Sequence, residues 1–149
     1  MGLISGELAT LDLLAERIDK RLSLLQKRLD DPLALDALAY ALLRYHQGVE
    51  LIFHYVTQHD PPRENDRRDL MSQASTDTPD RPGLFRNPLS RKFLAHLQFF
   101  SGRCLARHDH YPLMWEPLRG LGTMLTESHS TFREEVEAFL AKIANGGHE

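Results

Sequence analysis

The sequence predicts an all-α fold: an up-and-down four-helix bundle with one short extra helix. Three observations carry that reading. Valine occurs only at Val49, Val56 and Val136, and no segment alternates apolar and polar residues over the length of a strand. Leu and Ala, both strong helix formers, dominate the 42% of residues that are hydrophobic. Apolar positions also recur every three or four residues along long stretches of the chain. The 149 residues show no shift of composition and no internal repeat, so 1–149 reads as one domain. Its core extends over about residues 8–144.

The first helix is expected from about Thr10 to Leu29, where Leu11, Leu14, Ile18, Leu22, Leu25 and Leu29 make one apolar stripe. Residues 1–6 read as a short leader or a frayed end. Asp30-Asp31-Pro32 ends this helix, and Asp31 is a good N-cap for the next, with Pro32 at its first position. The second helix runs from about Pro32 to Gln58, with Leu35, Leu38, Leu42, Val49, Ile52, Phe53 and Val56 facing the core. Gly48 in its middle costs roughly 1 kcal/mol relative to Ala, which makes sense if another helix approaches closely there.

A short helix follows over about Asp66 to Ala74. Residues 75–87, rich in Ser, Thr, Asp, Pro and Gly, read as a loop long enough to be functional or mobile. Asn87-Pro88 opens the next helix, with Leu89, Phe93, Leu97, Phe100 and Cys104 as its apolar stripe and an end near His110, before Pro112. The last helix is expected from near Pro117 to about Ala144, stopped by Asn145-Gly146-Gly147.

Composition narrows the function classes. Cys104 is the only cysteine, which excludes an intrachain disulfide and a cysteine-based zinc site and fits a reducing cytosol. No apolar run reaches membrane-spanning length, and no basic stretch followed by an apolar one marks a signal peptide. A cytoplasmic protein without a membrane partner is the expectation. The net charge of −3 argues against a strong nonspecific nucleic-acid binder. Yet Arg81, Arg86, Arg91, Lys92, Arg103 and Arg107 lie between residues 81 and 108 with no Asp or Glu among them, which suggests a surface for phosphates.

The densest polar cluster is residues 103–112, where six of ten are Arg, His, Asp or Tyr. It falls at a helix end, where freed backbone can aim side chains at a cleft. Arg103 and Arg107 share a helical face, and His110 would join them if the helix continued. His108 would lie about 140° from Arg103 in an ideal helix, so the two meet only if the last turn unwinds or across an interface with a second copy. Arg and His together suit metal-free phosphodiester cleavage. His titrates near neutral pH and can take the proton of a ribose 2′-OH or protonate the leaving oxygen. Arg grips the phosphate in a bidentate manner and stabilises transition-state charge.

This pattern resembles the HEPN superfamily, in which an Arg is followed by four to six residues and then a His near a helix end. Members of its HepT-like branch read Phe-Arg-His-x-x-Arg-His-x-Tyr. Here Gly102-Arg103-Cys104-Leu105-Ala106-Arg107-His108-Asp109-His110-Tyr111 follows it in the Arg and Arg-His elements, with Gly102 and Cys104 in the flanking slots, His110 in the Tyr slot and Tyr111 one residue later. The segments Tyr45–Phe53, Asp69–Gln73 and Arg81-Pro82 are similar to further family stretches, and the likeness extends over about residues 8–143. The resemblance implies a HEPN-like bundle acting as a homodimeric, metal-independent ribonuclease toxin that needs no cofactor. Arg103 and His108 would be catalytic, although an Arg103–His110 pair is also permitted. Arg107, His110, Tyr111 and Glu50 would support them, and Arg86, Arg91 and Lys92 would bind RNA. It also implies a minimal nucleotidyltransferase antitoxin as partner, able to attach adenylate to Tyr111.

Two rival readings stand beside it. One is a non-catalytic helical protein that binds a nucleotidyltransferase or RNA. The other is a metal-dependent bundle enzyme built on His46, Glu50 and His54, at i, i+4 and i+8, with His96 as a further ligand. Tyr40, Tyr45, Phe99 and Phe100 could stack on bases but sit at core spacing. Trp115 reads as an apolar anchor for the last helix.

Overall fold

The structure is a computed structural model that describes residues 2–27, 31–58, 70–79, 81–84, 87–106 and 115–145, with backbone alone at Leu70 and 102–106. Five helices form among these residues: α1 (Gly2–Leu25), α2 (Pro32–Thr57), α3 (Leu70–Ser75), α4 (Pro88–Ala106) and α5 (Trp115–Ala144). The only β pairing among them is an isolated bridge between Thr78 and Arg81. The fold class is therefore all-α, as the sequence predicts.

Each helix forms where its apolar stripe and caps agree. α1 starts about eight residues earlier than its Leu periodicity suggests, because Ile4 and Leu8 extend the buried stripe of Leu11, Leu14, Ile18, Leu22 and Leu25. Residues 2–6 are thus helix rather than leader. It ends at Leu25, short of Leu29, with Lys27 N–H donating to the Leu24 carbonyl at 3.1 Å in a tightened last turn. Residues 28–30 lie outside the described residues. α2 opens as expected: Asp31 Oδ1 accepts from the N–H groups of Leu33 (3.1 Å) and Ala34 (3.3 Å), and Pro32 fills the first position.

α3 begins at Leu70, and residues 66–69 of the expected short helix are outside the description. Asn87 Oδ1 accepts from Leu89 N–H at 2.9 Å, which caps α4. Its apolar stripe differs from expectation in one place. Leu89 is exposed, because the buried side of α4 is centred on Ser90, Phe93, Leu94 and Leu97. α5 starts at Trp115, with Pro117 inside the first turn, where a missing N–H costs nothing.

One core cluster joins residues of all five helices, with Tyr45, Phe93 and Phe132 among its largest fully buried side chains. α1 packs on α2 and α5, and α4 packs on α5 and α2, so the four long helices close a ring. Asp12 bonds His129 while Leu22, further along α1, lies against Gly122, earlier on α5, so α1 and α5 are antiparallel. Leu11 lies against Gly48, and the short link from Leu25 to Pro32 allows α1 and α2 only an antiparallel pairing. Ser90 bonds Glu135, so the start of α4 meets the end of α5. A parallel α4–α5 pair would require the link from Ala106 to Trp115 to span about 54 Å, beyond the reach of its nine Cα–Cα steps at about 3.5 Å each. The order is therefore up, down, up, down.

Gly48 permits a close approach of α1 to α2. A Cβ there would sit 2.6 Å from Leu11 Cδ2 and 2.8 Å from Glu7 Oε1. The glycine's helix-propensity cost is offset by letting α1 and α2 meet at full contact.

Candidate functional site

α4 positions what can be seen of the Arg-His motif. The backbone of Arg103 lies on this helix, which is described as far as Ala106. Arg107, His108, His110 and Tyr111 lie outside the described residues, as does Arg86. The side chains of Arg103 and Cys104 are likewise outside the description. Arg91 and Lys92 are exposed on α4. They do not share a face, since consecutive residues lie about 100° apart around a helix. Of the two phenylalanines considered for base stacking, Phe100 is buried, whereas Phe99 is 65% exposed. Tyr45 is a core residue, and Tyr40 is exposed on α2.

Arg81 does not belong to a phosphate-binding surface. It is 8% exposed. Its Nη1 donates to the carbonyls of Ala74 (3.3 Å), Thr76 (3.2 Å) and Pro82 (3.1 Å), and its Nη2 donates to Gln73 (3.0 Å). A guanidinium is the side chain best able to serve several carbonyls at the C-terminal end of α3 at once. Gly83 and Leu84 also lock onto this region. Leu84 N–H donates to the Ala74 carbonyl at 2.8 Å, and Gly83 N–H donates to Asp77 Oδ1 at 2.7 Å. A Cβ at Gly83 would fall 2.3 Å from the Ser75 carbonyl oxygen, so glycine is required there. The described part of this segment is a packed cap over α3.

The geometry does not gather His46, Glu50, His54 and His96 into a metal site. Among the described residues, no three His, Cys, Asp or Glu side chains are grouped to hold a metal ion. His54 and His96 both face outward. His46 stands alone with Glu50, whose Oε1 is 3.1 Å from His46 Nδ1. An ion pair at that distance requires a protonated imidazole, and the buried Nδ1 makes no hydrogen bond. Burial pushes the His46 imidazole below its ordinary value, and Glu50 only partly offsets this. Glu50 thus sits beside His46 on α2.

Sequence reasoning missed a polar chain through the bundle. Tyr45 on α2 is fully buried, and its hydroxyl lies 2.8 Å from His129 Nδ1 on α5. His129 Nε2 lies 2.7 Å from Asp12 Oδ1 on α1, and Asp12 Oδ2 accepts from Arg133 Nη1 at 2.7 Å. Burial, and secondarily the negative charge of Asp12, raise the Tyr45 pKa far above its usual value. The phenol therefore stays protonated and donates to Nδ1. This leaves the imidazole proton on Nε2, where it donates to Asp12. Tyr45 also meets Phe93 and His129 edge-on at 6.0 and 5.7 Å between ring centroids. Its phenol end, Tyr45, is closed to solvent, while Arg133 at the other end is exposed. The chain fixes the relative setting of α1, α2 and α5.

No polar spacing within one helix announces such a chain, because its members come from three helices. The one available signal was a charged residue, Asp12, beside the buried stripe of α1. No family model, curated protein or solved structure matches this chain. Among the described residues no helix is long and apolar enough to cross a membrane.

Proposed function

We propose that the chain is a metal-independent endoribonuclease toxin of the HEPN type, acting in the cytosol as a homodimer. Arg103 and His108 cut RNA, Arg107 and His110 assist, and Tyr111 orients the site. The antitoxin would be a minimal nucleotidyltransferase that silences the enzyme by adenylylating Tyr111. The observation that carries this reading is the position of Arg103. It lies on a helix whose described part, Pro88–Ala106, bears Arg91 and Lys92 and no Asp or Glu, in an antiparallel four-helix ring. Between residues 81 and 108 the chain carries Arg and Lys but no Asp or Glu, inside a protein of net charge −3, which favours a phosphate ligand.

The chemistry follows from the residue types. His108 takes the proton of a ribose 2′-OH, and the freed oxygen attacks the adjacent phosphorus. The bond to the 5′-oxygen breaks, and that oxygen leaves with a proton from an acid such as His110 or water. The products are a cyclic phosphate and a 5′-hydroxyl end. Arg103 holds the non-bridging oxygens as charge grows on them, a role whose loss costs about 10²–10³ in rate at comparable sites. Expression of the wild-type chain should arrest growth and fragment cellular RNA. His108→Ala should do neither while keeping the wild-type mass in light scattering. Equal toxicity of the two would remove His108 from the mechanism. The departures at Gly102, Cys104 and His110 favour one rival, a non-catalytic binder, and intact RNA with the wild-type chain would establish it.

A further inference from the structure

Six of the eight large apolar side chains exposed among the described residues lie on α1 and α2: Leu3, Leu13, Leu24, Leu33, Tyr40 and Leu51. They face one way. Leu33, Tyr40 and Leu51 fall within about 20° of arc on α2, beside Arg44, whose guanidinium reaches Glu7 across the α1–α2 groove. On α1, Leu3 lies about 40° round from Glu7. Leu24 and Leu13 continue that flank, away from Asp12, which turns to α5. Exposed Arg17, Lys20 and Arg21 stand between Leu13 and Leu24, whereas exposed Asp36 stands between Leu33 and Tyr40. The contact of Leu11 with Gly48 sets the heights along this antiparallel pair. Arg17, Lys20 and Arg21 are level with Leu42, Ala39 and Leu38, each within about one turn of Asp36 or Tyr40. Leu24 is level with Leu35, and Leu13 with His46.

We propose that this face joins two copies of the chain through a two-fold axis running along the groove, so that each α1 lies on its partner's α2. Rotation about such an axis keeps every residue at its own height. Leu24 then meets the partner's Leu33 within about 3 Å of axial offset. Leu13 falls into the gap between the partner's Tyr40 and Leu51. The three cations of α1 face the partner's Asp36 carboxylate and Tyr40 ring rather than one another. The alternative two-fold, across the helices, sets Arg17 against the partner's Lys20, and like charge rejects it. Area also favours a second copy. The six residues expose the equivalent of about three leucines and most of a tyrosine, roughly 600 Å², at the upper end of what a monomer leaves bare. Two such faces cover about 1,200 Å² before flanking residues are counted, which enters the range of stable interfaces. This gives the homodimer of the nuclease reading its face, and on that reading it has a consequence. α4 packs on the far side of α2 and touches α5, so the paired α1–α2 layers leave it outside the interface. Each Arg103 centre is then completed within one protomer.

The test is sedimentation equilibrium of the full-length protein. Interfaces of this size dissociate with constants of micromolar or below, so the wild type should be a dimer at about 100 µM. Leu24→Ser and Leu33→Ser should each raise the dimer Kd at least about tenfold, because each change acts twice in the pair. Asp36→Arg should weaken the pair about tenfold, and adding Lys20→Glu with Arg21→Glu should restore most of the affinity. Leu89→Ser, on α4, should associate as the wild type does. Circular dichroism of each variant guards against unfolding. A monomeric wild type overturns the proposal, whether the face then serves a different protein or a lipid surface. So does a dimer that the α1 and α2 variants leave intact, or one that Leu89→Ser dissociates. A charge exchange that restores nothing overturns the two-fold along the groove. RNA cleavage by a monomeric variant then tests the consequence. A wild-type rate per chain supports a centre within one protomer, and lost cleavage overturns it. RNA left intact by the wild type removes the nuclease reading, while sedimentation still decides the interface.

Discussion

Exchanging Arg81 for Lys keeps the charge and removes the planar fork, and so separates two roles that its position in the sequence leaves mixed. A phosphate-binding Arg tolerates this exchange in part, because Lys also binds phosphate. A structural Arg does not. Here the guanidinium donates to four carbonyls at 3.0–3.3 Å, those of Gln73, Ala74, Thr76 and Pro82. A hydrogen bond from a charged donor contributes about 1.5–3 kcal/mol, but these four do not simply add. The carbonyls of Gln73 and Ala74 also accept from the N–H groups of Thr76 and Leu84, and Thr76 is exposed enough to gain water. A single ammonium can replace one or two of the four contacts. The expected loss for Arg81→Lys is therefore about 2 kcal/mol. Urea unfolding followed by far-ultraviolet circular dichroism reads it directly. With a slope of about 1–3 kcal/mol per molar, the midpoint should fall by roughly 1 M. A shift below about 0.2 M, with weakened RNA binding, would return Arg81 to the phosphate surface and refute the packed-loop account.

Further outcomes follow from other packing and polar features. Gly48→Ala gains about 1 kcal/mol of helix propensity but forces a methyl against Leu11, which is fully buried, so net destabilisation of about 1–2 kcal/mol is expected in the same unfolding assay; a more stable variant would contradict the close α1–α2 approach. Tyr45→Phe leaves His129 Nδ1 without its donor and should cost about 1–3 kcal/mol. Combined with His129→Leu it should cost clearly less than the sum of the single changes, and strict additivity would show that the two side chains do not communicate. His46 gives a pH dependence. Its folded-state pKa is lowered by burial, so the unfolded chain binds the extra proton as pH falls below about 6.5. Its contribution is complete above that value and is lost as pH falls through the lowered folded pKa. Thermal unfolding from pH 8 to 5.5 should show a steeper loss for the wild type than for His46→Gln, and parallel curves would exclude His46 as the source.

The bundle was legible because Leu periodicity, the Asp31 cap with Pro32, and Asn87-Pro88 are local signals that act within one helix. The early start of α1 was hidden by Gly2 and Gly6, which lower helix propensity, while Ile4 and Leu8 are held helical by packing that no local rule contains. Leu89 was misassigned for a related reason: a residue at the edge of an apolar stripe turns inward or outward according to where the neighbouring helices lie. Arg81 read as a surface cation because only the folded loop supplies the carbonyls that surround it. The Tyr45–His129–Asp12 chain spans three helices and is invisible to spacing within any one of them. Of the candidate site, the sequence marked Arg103 on a basic helix, and the described backbone of Arg103 lies in α4. Residues 107–111, which hold the remainder of the motif, lie outside the described residues.

The most direct measurement is the single-turnover rate at which the purified protein cleaves RNA with a chelator present, compared between wild type and Arg103→Ala. A rate untouched by chelator that drops at least about a hundredfold on loss of the guanidinium is the expected result. Cleavage that needs a metal ion, or that proceeds at the wild-type rate without Arg103, would contradict the account.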